Sequence, residues 1–254
     1  RYPKSKKDKH MIANGVDARV VTEDDLVGLP APVYRYLTFT GVIGTPRINT
    51  VRLKYGGKFR MAADKPWMPI SVTQYYTTNP QGFLWKARFK MAGLPLMIAN
   101  DVYKSGHGHM RGKLLGLFTV ADGRGEEIDQ GTMVRYLQEM TWFPSAYLGS
   151  NIRWQAVDDH AADVTLTDGD REVTARMYFD DRGRLLTFIA QRYGDFKGEY
   201  KIRTWTTPVT EYGFMAGLYL PVAGLGVWQL PEGDLTYINV HLSEIEYNQP
   251  IEMF

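Results

Sequence analysis

At 254 residues, with 44% hydrophobic and 13% aromatic side chains, the chain can bury a large core, which excludes disorder over most of its length. Its 30 basic residues are scattered among 28 acids, and a net charge of +2 without a basic stripe excludes nucleic acid as a partner. The absence of cysteine removes disulfides, thiolate nucleophiles and zinc–sulfur sites, while leaving the compartment open.

The chain opens on Arg1-Tyr2-Pro3-Lys4-Ser5-Lys6-Lys7-Asp8-Lys9, a cationic start without methionine. A signal peptide or membrane anchor removed upstream accounts for such a start, and so does trimming of a solvated tail. No apolar run in the sequence reaches the roughly 20 residues that a membrane helix needs. Residues 1–20 are therefore expected to form a flexible basic tail, and 21–254 a single domain. The expected location is the membrane or cell envelope through a missing N-terminal segment, on a side not fixed by the sequence, with the cytoplasm still open.

Residues 22–25, Thr-Glu-Asp-Asp, have the flavour of a capping box, and 29–37 predict a short helix with Val33, Tyr36 and Leu37 on one face and Gly41 at its end. After Pro46 the hydrophobic period becomes two. Val51, Leu53 and Tyr55 alternate with Arg52 and Lys54, Gly56-Gly57 reads as a turn, and Phe59 and Met61 continue the pattern, which predicts a hairpin. Ile70, Val72, Gln74 and Tyr76 predict the next strand. Phe83, Trp85, Ala87, Phe89 and Met91 then alternate with Leu84, Lys86, Arg88 and Lys90, the cleanest strand signal in the chain. A strand pair follows at 99–103 and 109–115, and the Gly- and acid-rich residues 121–127 read as a connection.

Residues 129–144, D-Q-G-T-M-V-R-Y-L-Q-E-M-T-W-F-P, form the one long helical pattern. Met133, Tyr136, Leu137, Met140 and Phe143 share a face, with Arg135, Gln138 and Glu139 opposite; Asp129 suits the cap and Pro144 the stop. Beyond it, strands are expected at 152–156, 162–167, 173–179, 185–193, 200–212, 218–222, 226–230 and 235–247, joined by Asp- and Gly-rich turns. Short connections predict an antiparallel sheet. The expected fold is mainly β (α+β): a large antiparallel curled sheet or half-barrel, with a central helix in its concave face and a short N-terminal helix. Between helix and sheet we expect a ligand cavity lined by Trp67, Phe83, Trp85, Phe89, Met91, Met133, Leu137, Met140 and Trp142, with Arg135 as its polar contact.

The strings L-P-A-P-V-Y-R-Y-L (29–37), K-P-W-M-P (65–69), the helix motif at 129–144 and W-Q-A-V-D-D (154–159) resemble those of an uncharacterised bacterial family of about this length, whose members often carry an N-terminal membrane segment. That resemblance covers nearly the whole chain and implies relatives rather than an activity. The overall plan resembles the lipoprotein-carrier (LolA-like) half-barrel, in which a helix closes a curled sheet that holds acyl chains. The same fold class also includes a cofactor-free enzyme, so the resemblance leaves catalysis open.

Asp129, Glu139 and His109 are the candidates for acid–base chemistry, with Arg135 and Glu139 spaced as an ordinary surface ion pair. His107-Gly108-His109 offers two imidazoles without a third ligand, so no metal is expected. No P-loop, dinucleotide fingerprint, G-x-S-x-G or H-E-x-x-H string is present, and no cofactor is expected. Two functions follow: binding or carrying an apolar small molecule or lipid, or a cofactor-independent enzyme using the helix carboxylates.

Overall fold

The computed structural model describes residues 19–91 and 94–251, the side chains of 91–96 excepted. A 14-stranded antiparallel sheet curls into a half-barrel with one central helix in its concavity, as the alternation and the short turns predict. One arm of the sheet runs from β1 (Thr50–Phe59) through β2 (Met68–Thr78), β3 (Gln81–Met91), β4 (Leu94–Lys104) and β5 (His107–Leu114) to the edge strand β6 (Phe118–Gly123). The other arm starts at β14 (Gly233–Tyr247), which pairs with β1, and continues through β13 (Leu218–Leu230) and β11 (Glu199–Thr206). It goes on through β10 (Leu185–Phe196) and β9 (Arg171–Phe179) to β8 (Ala161–Asp168) and the opposite edge, β7 (Ile152–Asp158). The remaining strand, β12 (Val209–Met215), pairs off this path with one end of β13.

The central helix, α2 (Glu126–Glu139), is the covalent link between the two edges β6 and β7. Chain connectivity thus draws it across the open side of the curl, where it packs on β5 and β4 from one arm and β10 and β9 from the other. The short helix α1 (Ala31–Thr40) buries Val33, Tyr36 and Leu37 and ends where Gly41 adopts the left-handed conformation, φ 75°.

Several local expectations need correction. Gly56-Gly57 is not a turn: β1 runs straight through it, pairing with β2 on one side and β14 on the other. A Cβ at Gly57 would overlap the Asn239 carbonyl oxygen, so the glycine serves a close approach of β14 rather than a reversal. The first part of 121–127 belongs to β6 and not to a connection. The predicted strand at 200–212 divides into β11 and β12, whereas 218–222 and 226–230 merge into β13. Asp129 is not the cap of α2, which begins three residues earlier after Gly125, with Glu126 and Glu127 meeting the positive end of its dipole. After Glu139 the chain continues as a 3-10 turn over Met140–Trp142 and breaks at Phe143, ahead of Pro144. The expected basic tail lies outside the described residues except for Arg19 and Val20, which are fixed by pairing with 46–47.

The two neighbouring glycines of β1 give a direct test of the close approach. Gly57→Ala should cost about 2 kcal/mol or more in urea denaturation, because only backbone can move aside. Gly56→Ala, whose Cβ would meet Ile70 O at 3.7 Å, should be near neutral.

Candidate functional site

The D-Q-G opening of the helix motif fixes the helix to both arms of the sheet. Asp129, buried, accepts from the Gly108 amide at 2.6 Å, and its other oxygen lies 3.2 Å from His107 Nδ1 and 3.1 Å from Arg171 Nη2. Gln130 completes β10 on the opposite side, donating to Gln191 O at 2.8 Å and accepting from the Tyr193 amide at 3.0 Å. A Cβ on Gly131 would lie 3.2 Å from Tyr193 O, and one on Gly108 would lie 2.7 Å from Ile128 O. Helix backbone therefore touches strand backbone on both flanks. Below these contacts, Asp168 of β8 accepts from Tyr103 Oη at 2.6 Å and the Gly106 amide at 2.8 Å, pinning the two arms to each other at one end of the curl.

One turn further along, the polar face of the helix carries a buried charge cluster. Arg135 Nε donates to Glu139 Oε1 at 2.7 Å, Nη1 to Asp101 Oδ2 at 2.9 Å and Nη2 to Gln74 Oε1 at 3.4 Å. Glu139 Oε2 accepts in turn from Gln74 Nε2 at 2.8 Å and Tyr76 Oη at 3.1 Å. The guanidinium sits over the rings of Phe83 and Trp85, 5.0 and 4.8 Å from their centres. The expected surface ion pair between Arg135 and Glu139 is thus an interior one, with side chains only 12% and 5% exposed. Burial works against the charge of Arg135, but Glu139, Tyr55 and Asp101 more than offset it and raise its pKa. Burial raises the carboxyl of Asp101 above the usual range, opposed by Arg135 and then Arg192. Arg192, from β10, stacks on Trp205 and Trp228 at 4.5 and 5.4 Å, and its Nε donates to Gly131 O at 2.9 Å.

This polar face floors a cavity of about 970 Å³ between helix and sheet. Its walls are Tyr55, Phe59, Trp85, Phe89, Met97, Trp142, Trp205, Trp228 and Tyr237, with Asp101, Arg135, Glu139 and Arg192 as the interior polar groups. Of the residues expected to line it, Trp85, Phe89, Trp142 and Arg135 do border the cavity. Met133, Leu137 and Met140 lie instead in the closed core on the other side of the helix, while Phe83 is buried under the Arg135 guanidinium and does not border the cavity. Trp67 is 38% exposed, stacks with Arg60 at 4.7 Å and does not itself border the cavity, and the side chain of Met91 falls outside the described residues.

The acid–base candidates are not brought together: Asp129 holds β5 and β9, Glu139 is in the arginine cluster, and His109 faces Asp122 at 2.7 Å. Sequence reasoning missed Asp101, Arg192, Trp205 and Trp228. The alternation of 99–103 places Asp101 on the inner face with Tyr103, a signal that was readable, but nothing in the β10 or β11 sequence marks Arg192 as interior.

A profile of a family of unknown function, DUF6544, matches residues 19–240. The chain belongs to this family. No curated protein matches it by sequence. Among solved structures, the chain is similar to a LolA superfamily protein from Nitrosomonas europaea, with 10% identity, 88% of this chain and 96% of that one covered, and a TM-score of 0.49. It is also similar to a DUF1329 family protein from Desulfovibrio piger, with 10% identity, 81% and 88% covered, and a TM-score of 0.47.

Two measurements probe the charge cluster. Arg135→Ala strands two carboxylates in the interior and should cost about 3–5 kcal/mol in urea denaturation, with Lys a poor substitute because it lacks the planar fork. Because the pKa of Asp101 is raised on folding, its contribution is full below the unfolded value of about 3.9 and is lost as pH rises through the folded one. The Tm of the wild type relative to Asp101→Asn should therefore be highest in acid and decline as pH climbs.

Proposed function

We propose that the protein binds an apolar small molecule or lipid in the cavity between helix and sheet and carries it shielded from water. The observation that supports this most is the combination of size and wall chemistry. A space of about 970 Å³ stays open between helix and sheet, and its walls are mostly aromatic and methionine side chains. That volume lies at the upper end of the range for ligand sites, and an empty apolar space of this size costs packing energy that a ligand restores. Arg135 and Glu139 of the helix meet Asp101 of β4 and Arg192 of β10 along one side of the space, which offers a guest a polar end beside its apolar body. Thr207 Oγ1, at the wall and buried without a hydrogen-bond partner, offers that end a further contact.

Catalysis by Asp129 and Glu139 has less behind it. A general base needs a free lone pair near the substrate, and both oxygens of Glu139 already accept hydrogen bonds, one of them from a guanidinium. Asp129 spends its oxygens on Gly108, His107 and Arg171. No helix among the described residues is long and apolar enough to cross a membrane.

Extraction of the purified protein followed by mass spectrometry should yield a co-purifying apolar molecule, and an environment-sensitive dye should bind and be displaced by it. Ala99→Trp, which fills the cavity from β4, should reduce dye affinity about tenfold or more with little change in Tm. No extracted ligand together with dye binding indifferent to Ala99→Trp would sink the carrier reading. Glu139→Gln should leave ligand capture largely intact; if it instead abolishes a turnover while capture persists, the enzyme reading takes its place.

A further inference from the structure

The free end of the β5–β6 hairpin is apolar and uncovered. Leu115, Leu117, Phe118 and Val120 are 59%, 77%, 63% and 56% exposed, on the outermost strand of one arm and the turn that leads into it. An apolar edge of this kind is a liability in water unless a partner covers it.

Strand register shows which way each face points. Phe118 opposes Leu114, Leu114 opposes Met97, and Met97 opposes Phe89. That row runs on the inner face from the exposed tip to two side chains that border the cavity. On the outer face the next rows read Lys113, Ile98, Arg88 and then Arg111, Asn100, Lys86, with Lys90 beyond. Asp122 is the one acid in those rows, and it is taken by His109 and Arg111. Among the described residues, Lys86, Arg88, Lys90 and Lys113 form no ion pair, and Lys86 rests on the Tyr75 ring at 5.7 Å. The contrast is with β1, where Arg52 and Lys54 are neutralised by Glu246 and Glu244 of β14. An apolar tip backed by a collar of unpaired cations is the pattern of a surface that meets anionic headgroups with its charges and the acyl boundary with its apolar side chains.

We propose that the β5–β6 hairpin docks the protein on an anionic lipid surface, with 115–120 entering the interface and Lys86, Arg88, Lys90 and Lys113 against the headgroups. The inner-face row then leads from the membrane to the cavity. This goes beyond the reading of the cavity and holds whatever fills it.

Flotation of the purified protein with phosphatidylglycerol vesicles, against phosphatidylcholine vesicles, tests it. Association with phosphatidylglycerol and not phosphatidylcholine is expected, weakening as salt is added. Leu117→Glu with Phe118→Glu, and separately Arg88→Glu with Lys113→Glu, should each weaken flotation roughly tenfold or more. All four side chains lie at the surface, so Tm should hold, and dye uptake from solution should be unchanged, which separates this result from any failure of the carrier reading. No flotation on phosphatidylglycerol, or flotation that ignores both double variants, overturns the proposal. Self-association in sedimentation velocity that is lost in the Leu117/Phe118 variant would also overturn it, by assigning the tip to a second copy of the chain.

Discussion

A guanidinium withdrawn from water is costly unless its donors are used, and Arg135 uses its own on its own helix, on β4 and on β2 at once. That requirement fixes how α2 is rotated. With Arg135 aimed at Asp101 and Gln74, the methionine and leucine side of the helix must face away from the cavity and into the closed core. The helix consequently divides the half-barrel into a solid region and a hollow one, and its polar side looks into the hollow. The aromatic rings of Phe83 and Trp85 beneath the guanidinium lower the cost of holding it there.

Rotation alone would leave the helix free to slide, and the D-Q-G triplet prevents this. Asp129 is clasped from β5 and β9 and Gln130 from β10, while Gly131 and Gly108 allow backbones to meet where any side chain would hold them apart. The same logic operates in β1, where Gly57 admits the β14 backbone and so joins the first strand of the sheet to the last. Glycine in this chain does much of its work by allowing close packing, whereas a linear reading hears it first as a turn.

A cavity survives because its two sides are held by different means. The floor is a satisfied hydrogen-bonded network that cannot collapse without stranding charges. The walls are large rings tied to one another and to backbone, as in Trp85 donating to Tyr55 Oη at 2.6 Å and Trp142 donating to Pro221 O at 3.0 Å. Either tryptophan must give up its indole hydrogen bond before it can swing into the space.

Period-two alternation is dictated by the backbone, so most strands, their inner faces and the antiparallel curl are legible in the sequence by itself. The same holds for the three-and-four spacing that gave α2 and for the family motifs. Trp85, Phe89, Trp142 and Arg135 were legible as neighbours of the cavity because each lies in a strong local pattern. Tertiary structure decided the rest. It turned Arg135 and Glu139 from a surface pair into an interior cluster, since exposure depends on what a helix packs against and not on its own spacing. It brought Arg192, Trp205 and Trp228 from the far arm to the cavity, a meeting set by the curl of a sheet more than fifty residues away in sequence. And it put Met133, Leu137 and Met140 into solid core, because an apolar helix face tells only that it will be covered, while the buried charge opposite determines by what.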